Sequence, residues 1–199
     1  MSLLFGLGMM TNNILAQESA ITNFGVNAGL NISNVSFEGI SGGSKTGFHA
    51  GASFEYHLLN SRPIYLETGI QFTQKGYQIS GLGKANANYL EVPVMVNYKF
   101  YSPAGITFYP SIGVYCGYGI GGKVKTVFDD DDFLFEDESS DSFFGEDGFN
   151  RLDFGVRLGV SAQWQQIVLG VGYERGLINI GNGSKAHTSN IYISLGYRF

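Results

Sequence analysis

Residues 46–58 read TGFHAGASFEYHL, and taking every second letter separates them into two unlike sets. Thr46, Phe48, Ala50, Ala52, Phe54, Tyr56 and Leu58 form one set; Gly47, His49, Gly51, Ser53, Glu55 and His57 form the other. Successive side chains of a strand point to opposite faces, so this stretch predicts a ribbon with one apolar face and one polar, glycine-rich face. The same split recurs at 23–36, 63–77, 88–101, 105–122, 151–163, 166–177 and 189–199, making eight strands in all. In the first six the apolar set falls on even numbers, as in Leu90, Val92, Val94, Val96, Tyr98 and Phe100. In the last two it falls on odd numbers, as in Ile167, Leu169, Val171 and Tyr173, then Ile191, Ile193, Leu195, Tyr197 and Phe199.

Segments of this length suit a tilted crossing of a bilayer, and alternation is what a wall between lipid and a polar lumen requires. No run of about 18 apolar residues exists, which excludes an ordinary transmembrane helix. The mean hydropathy of +0.02 is low only because alternating strands dilute it. Connections 59–62, 102–104 and 163–165 are short, whereas those after strands one, three, five and seven are longer and hold most of the loop glycine and charge. Together these features predict an all-β, eight-stranded antiparallel up-and-down transmembrane β-barrel with short periplasmic turns and longer external loops. Both termini then lie in the periplasm of a bacterial outer membrane. Aromatic residues sort to the strand ends: Phe24, Tyr56, Phe100, Phe108, Trp164, Tyr197 and Phe199 at one rim, Phe48, Tyr118 and Phe154 toward the other. Two such belts are expected where amphipathic rings meet two membrane interfaces.

A length of 199 residues fits a single domain. Residues 1–16 read as a signal peptide, with Leu3 to Met10 as its apolar core and Ile14-Leu15-Ala16 before Gln17 as the cleavage point. Residues 17–199 then form one barrel domain. Of the 17 acids, ten fall within 129–147, leaving seven against twelve bases, or +5, for the remainder. No basic stripe accompanies this balance, so a nucleic-acid partner is not expected. Cys116 is the only cysteine, which excludes an intramolecular disulfide, and it sits in the apolar set as a small hydrophobe.

The inward set mixes many glycines with Tyr65, Tyr89, Tyr109 and Tyr115, so small residues on some strands leave room for large ones on others. Eight strands enclose an interior that side chains nearly fill, and a plugged polar core follows. Its acids, Glu55, Glu67, Glu91, Asp153 and Glu174, face Lys75, Lys99, Arg157 and Arg198. Buried charges persist when paired, so these residues are assigned to a structural ionic network, with Glu55, Glu67, Glu91, Lys99, Arg157, Glu174 and Arg198 as its principal members. Counting back from the turn at 163–166 places Arg157 almost opposite Glu174. The same count across 59–62 places Glu55 beside Glu67, two carboxylates that disfavour joint ionisation unless Lys99 or Arg198 intervenes. A carboxylate dyad can be catalytic, but a salt-bridge cluster is the commoner meaning of such a grouping.

Other motifs are weaker. GYGIGGK at 117–123 approaches the phosphate-binding G-x-x-x-x-G-K, yet Val124 stands where Ser or Thr is needed and no helix follows. Residues 127–149 form an acidic loop, DDDDFLFEDESSDSFFGEDG from Asp129, without the spacing of an EF-hand. Phenylalanines interleave with its acids, so Asp129, Asp130, Asp131, Asp132, Phe133, Phe135, Phe143 and Phe144 are the candidate contact segment for an external protein partner. His49 and His57 share a face but stand about 27 Å apart along an extended strand, too far to share a metal ion. No Ser/His/Asp arrangement, metal site or cofactor site follows from the spacing. Pro93 and Pro110 fall inside strands and are expected at bulges, where a missing ladder bond is tolerated.

Several segments together resemble the PorT-like outer-membrane β-barrel proteins of Bacteroidetes: FGVNAGLN at 24–31, LETGIQFTQKG at 66–76, YLEVPVMVNYKF at 89–100, FYPSIGVYCGYG at 108–119, RLDFGVRLGVS at 151–161 and ISLGYRF at 193–199. YLEVP is the most specific of these. The resemblance implies a fold and a location, a possible link to secretion or envelope assembly, and a C-terminal strand ending in Phe199 that the outer-membrane assembly machinery reads. The acidic loop has no counterpart in that pattern.

The leading expectation is a non-enzymatic barrel embedded in outer-membrane lipid that presents its external loops for interaction. A lipid-acting enzyme at the barrel mouth is the alternative, and would need Glu55 and Glu67 free of cations. A soluble lipocalin-like carrier is the third, and would need the apolar set inside.

Overall fold

The computed structural model describes residues 22–37, 40–41, 43–59, 61–79, 83–125, 144, 150–178 and 186–199. Period-two alternation draws the chain into long strands: β1 (Thr22–Phe37), β3 (Gly43–His57), β4 (Ile64–Ile79), β5 (Gly83–Tyr98), β7 (Ile106–Lys125), β8 (Leu152–Trp164), β9 (Ile167–Gly176) and β10 (Ala186–Arg198). Two short pieces, β2 (Ile40–Ser41) and β6 (Phe100–Tyr101), extend the hairpins at either end. Each long strand pairs antiparallel with its neighbour in the chain, and β10 closes on β1 through thirteen pairs from Gly25↔Arg198 to Phe37↔Ala186. The wall therefore has eight strands and no free edge, the condition under which a sheet can sit in hydrocarbon.

The apolar rows face outward. Leu30, Ile112 and Leu195 are 65%, 62% and 59% exposed, while Glu91, Asp153 and Lys75 are at most 1% exposed inside. A soluble carrier with an oily interior is overturned by this arrangement. The parity follows the sequence on both sides of the loop at 126–149: even residues point out as far as β8 and odd residues in β9 and β10. Both expected sets of rim aromatics lie on the outer surface, as does Cys116.

Two expectations need correction. Neither Pro93 nor Pro110 sits at a bulge; the register shifts fall between Lys45 and His49 and between Asn88 and Tyr89. Each proline instead faces a lapse in a ladder. Opposite Pro93, the β4–β5 pairing skips from Thr68↔Val94 to Gln71↔Glu91, and the Thr68 hydroxyl donates to the Pro93 carbonyl at 2.8 Å. Pro110 faces the break between Asn97↔Ser111 and Phe100↔Phe108, where β5 gives way to β6 in the same register. The missing donor thus falls where no partner asks for it. The second correction concerns loop length at the end opposite the termini, called here the far end. Residues 126–151 and 177–185 are long connections, but only 38–42, β2 among them, separate β1 from β3 and only 80–82 separate β4 from β5, because the ladders run on to Phe37↔Ile40 and Ile79↔Gly83. At the terminal end, Gly105 takes a positive φ of 75° and Gln165 one of 53°, which tight turns use.

Candidate functional site

The lumen is built from the inward residues of all eight strands, and the ion pairs of its described residues fall into two clusters. At the terminal end, Glu55 on β3 and Glu67 on β4 are direct cross-strand partners, as the turn at 59–62 dictates. Lys99 Nζ lies 2.5 Å from Glu55 Oε1. Arg198 forks between the two acids, with Nη1 at 2.6 Å from Glu55 Oε2 and Nη2 at 2.8 Å from Glu67 Oε2. Asn97 Nδ2 donates to Glu67 at 2.7 Å and Asn23 Nδ2 to Glu55 at 3.2 Å. Lys99 also sits 4.1 Å above the Tyr65 ring. Two carboxylates thus meet two cations and several amide donors, so neither acid is free to act as a general base.

The second cluster lies deeper. Lys75 Nζ on β4 reaches Glu91 Oε2 at 3.1 Å, Asp153 Oδ2 at 3.2 Å and Glu174 Oε2 at 3.5 Å. Arg157 Nη1 bridges Glu174 Oε1 at 3.2 Å and Glu91 Oε1 at 3.3 Å, and Arg157 and Glu174 are register partners as counted from the turn at 163–166. Asn190 Nδ2 donates to Glu174 at 2.9 Å; the Tyr115 and Thr188 hydroxyls donate to Asp153 at 3.3 and 3.2 Å. Lys75 also lies 4.3 Å over the Tyr115 ring. Asp153 and Lys75, expected among the inward charges, belong to this cluster, and Lys75 is its hub. Among the described residues no three His, Cys, Asp or Glu side chains are grouped to hold a metal ion.

Between the clusters runs a third grouping that sequence spacing did not reveal. His49 on β3 places Nε2 2.9 Å from Ser194 Oγ on β10 and Nδ1 2.9 Å from Asn31 Oδ1 on β1. Asn31 Nδ2 donates in turn to Thr73 Oγ1 at 2.8 Å. The signal was topological: Gly29 pairs with His49 on one side and Ser194 on the other only once β10 has closed on β1. Gly29 is also why the contact exists. A Cβ there would meet His49 Cε1 at 2.6 Å and the Ile193 carbonyl, so only a glycine lets the imidazole lie across β1.

A cavity of about 100 Å³ occupies the lumen between the clusters, bordered by Ser111, Arg157, Ser161, Tyr192 and Ser194 among others. It is roomy and polar enough for several waters. Toward the far end, Phe144 is buried, 1% exposed, where it was expected to be an exposed contact residue. Its ring meets Tyr89 edge-on at 5.6 Å, Arg151 lies 5.5 Å over it, and it fills the notch left by Gly119, where a Cβ would collide with the ring. Burial of an aromatic ring explains the reversal: the niche between Tyr89 and Gly119 is apolar, and the loop supplies the ring that covers it. The other candidate contact residues, Asp129 to Asp132, Phe133, Phe135 and Phe143, lie outside the described residues, as does the proposed leader at 1–16.

The fold has solved counterparts. The chain is similar to Neisserial surface protein A, at 15% identity over 88% of this chain and 97% of that one, with a TM-score of 0.51. It is also similar to the outer membrane enzyme PagL, at 12% identity over 87% and 98%, with a TM-score of 0.55. Ail of Yersinia pestis aligns at 17% identity over 89% and 99%, with a TM-score of 0.49. No curated protein matches the sequence. At these identities the likeness is one of fold, shared by a protein named as a surface protein and by one named as an enzyme. The outer membrane protein β-barrel domain matches residues 15–182, nearly the whole wall, and the chain belongs to that family of the bacterial outer membrane.

Proposed function

We propose that the protein is a PorT-like barrel acting as a rigid platform, with both termini in the periplasm and the connections 126–151 and 177–185 outside the cell. The observation that carries this reading is how much of the lumen is occupied: among the described residues, two ion-paired clusters cross it and the Phe144 ring lies buried toward the far end. Role then moves to the connecting segments, which vary freely on a fixed scaffold. The acidic, phenylalanine-rich segment is the contact for a protein partner, with Phe144 anchoring it to the wall and Asp129 to Asp132, Phe133, Phe135 and Phe143 supplying the contact. The platform role needs no catalysis, and a lipid-acting enzyme built on Glu55 and Glu67 finds no support, since both acids are held by Lys99 and Arg198. Kinship to PorT-like barrels is supported by the YLEVP stretch.

Orientation and contact are tested separately. In a Cys116→Ala background, Ser139→Cys on intact cells should react with a membrane-impermeant maleimide; reaction only after the envelope is opened would reverse the barrel. A photo-crosslinker at Phe135 should trap a protein that is lost on deleting 127–149. Crosslinks unchanged by that deletion would retire the loop as the contact.

A further inference from the structure

The geometry points to Ser194 as an activated nucleophile, with His49 as its general base and Asn31 as the positioning residue, facing the lumen cavity and acting on small esters of short carboxylic acids. The inference is independent of the platform reading.

The proton positions follow from the hydrogen bonds. Asn31 Nδ2 lies against Thr73 Oγ1, the Gln74 carbonyl at 3.1 Å and the Phe48 carbonyl at 3.2 Å. Two of these groups only accept, so the amide must turn its NH₂ toward them and its oxygen toward His49. His49 Nδ1 then carries the hydrogen that Asn31 Oδ1 accepts, which leaves Nε2 bare toward Ser194. The Ser194 hydroxyl is therefore the donor, 2.9 Å from a basic nitrogen, and the base is itself oriented by a third group. Those are the relations by which an activated serine is recognised, whatever the fold or chain order.

The imidazole is fixed in place. It is 1% exposed, packs edge-on against Tyr192 at 6.0 Å, and crosses β1 over Gly29. Ser194 is less deeply buried and lines the cavity, so the nucleophile is the member of the group that meets free space. Arg157 and Tyr192 border the same cavity as Ser194, so a cation and a phenol face the space a substrate would enter. About 100 Å³ admits a short acyl group and excludes a long one.

In the reaction, Ser194 Oγ bonds to the ester carbonyl carbon as its proton passes to His49 Nε2. That proton moves to the departing alcohol oxygen as the carbon–oxygen bond breaks, leaving an acyl-serine. Water then attacks the acyl carbon, gives its proton to Nε2, and the acid departs as Oγ is reprotonated. Ester and water become acid and alcohol, with no change of oxidation state.

Methanesulfonyl fluoride, small enough for the cavity, sulfonylates serine with loss of fluoride and so reports the first step. The folded barrel in detergent micelles is treated with it, and each serine is followed by peptide mass mapping. Ser194 should react about a hundredfold or more faster than Ser111 and Ser161, which border the same cavity without a histidine partner. His49→Gln should bring Ser194 down to their rate. Equal rates at the three serines of the unmodified protein would overturn the inference, and so would undiminished labelling in a folded His49→Gln barrel. Should His49→Gln fail to fold, the comparison among wild-type serines decides alone.

Discussion

Lys75 Nζ stands 3.1 Å from Glu91 Oε2 with both side chains at most 1% exposed, and the same ammonium holds Asp153 and Glu174. Among the described residues, it and Arg157 are the cations that balance the three acids of that cluster. A buried charge left without its partner is far costlier than the pair is favourable.

Lys75→Met should therefore destabilise the barrel by about 3–5 kcal/mol. Adding Glu91→Gln should recover part of the loss, because it removes one of the stranded charges. Equilibrium urea unfolding in lipid vesicles measures both, and equal stability of Lys75→Met and wild type would refute the hub.

Arg198 is a fork, with one nitrogen on Glu55 and the other on Glu67. A lysine offers a single point charge and cannot reproduce the two contacts. Arg198→Lys should lose about 1–3 kcal/mol in the same unfolding assay, the cost of one under-satisfied buried acceptor.

The outer surface should tolerate oil and reject charge. Val114→Arg, on an apolar row of β7, should cost about 2–4 kcal/mol if the residue lies near the bilayer midplane. Val114→Leu should be close to neutral, and an equal effect of the two would argue that this row does not meet lipid.

At the far end, Phe144→Cys in a Cys116→Ala background should react slowly with a water-soluble maleimide, since that position is buried. Adding Gly119→Leu fills the notch and should speed the reaction severalfold. Fast labelling without the second change would place position 144 in water.

How much could be read in advance depended on distance along the sheet. Glu55 beside Glu67 and Arg157 beside Glu174 were countable, because a short turn fixes register and a period of two fixes the face. Lys75 with Asp153 was not, since β4 and β8 are not neighbours and the contact crosses the lumen. His49 with Ser194 required knowing that β1 has both β3 and β10 as neighbours. Phe144 was read as exposed because acids surround it in sequence, whereas its surroundings in space are Tyr89 and Gly119. The two prolines misled for a related reason: a ladder can lapse without the register slipping.

The Phe199 amide donates to the Phe24 carbonyl at 2.9 Å, so the first and last strands meet at the terminal end. Covalent order and spatial order are thereby separable. Residues 24 and 199 could be tethered by a few linking residues and a new start opened within 126–149, giving a circular permutant in which every wall strand keeps both neighbours. In such a rearranged chain, the β10–β1 seam would become an ordinary hairpin, and the junction of β7 with β8 would seal the cylinder.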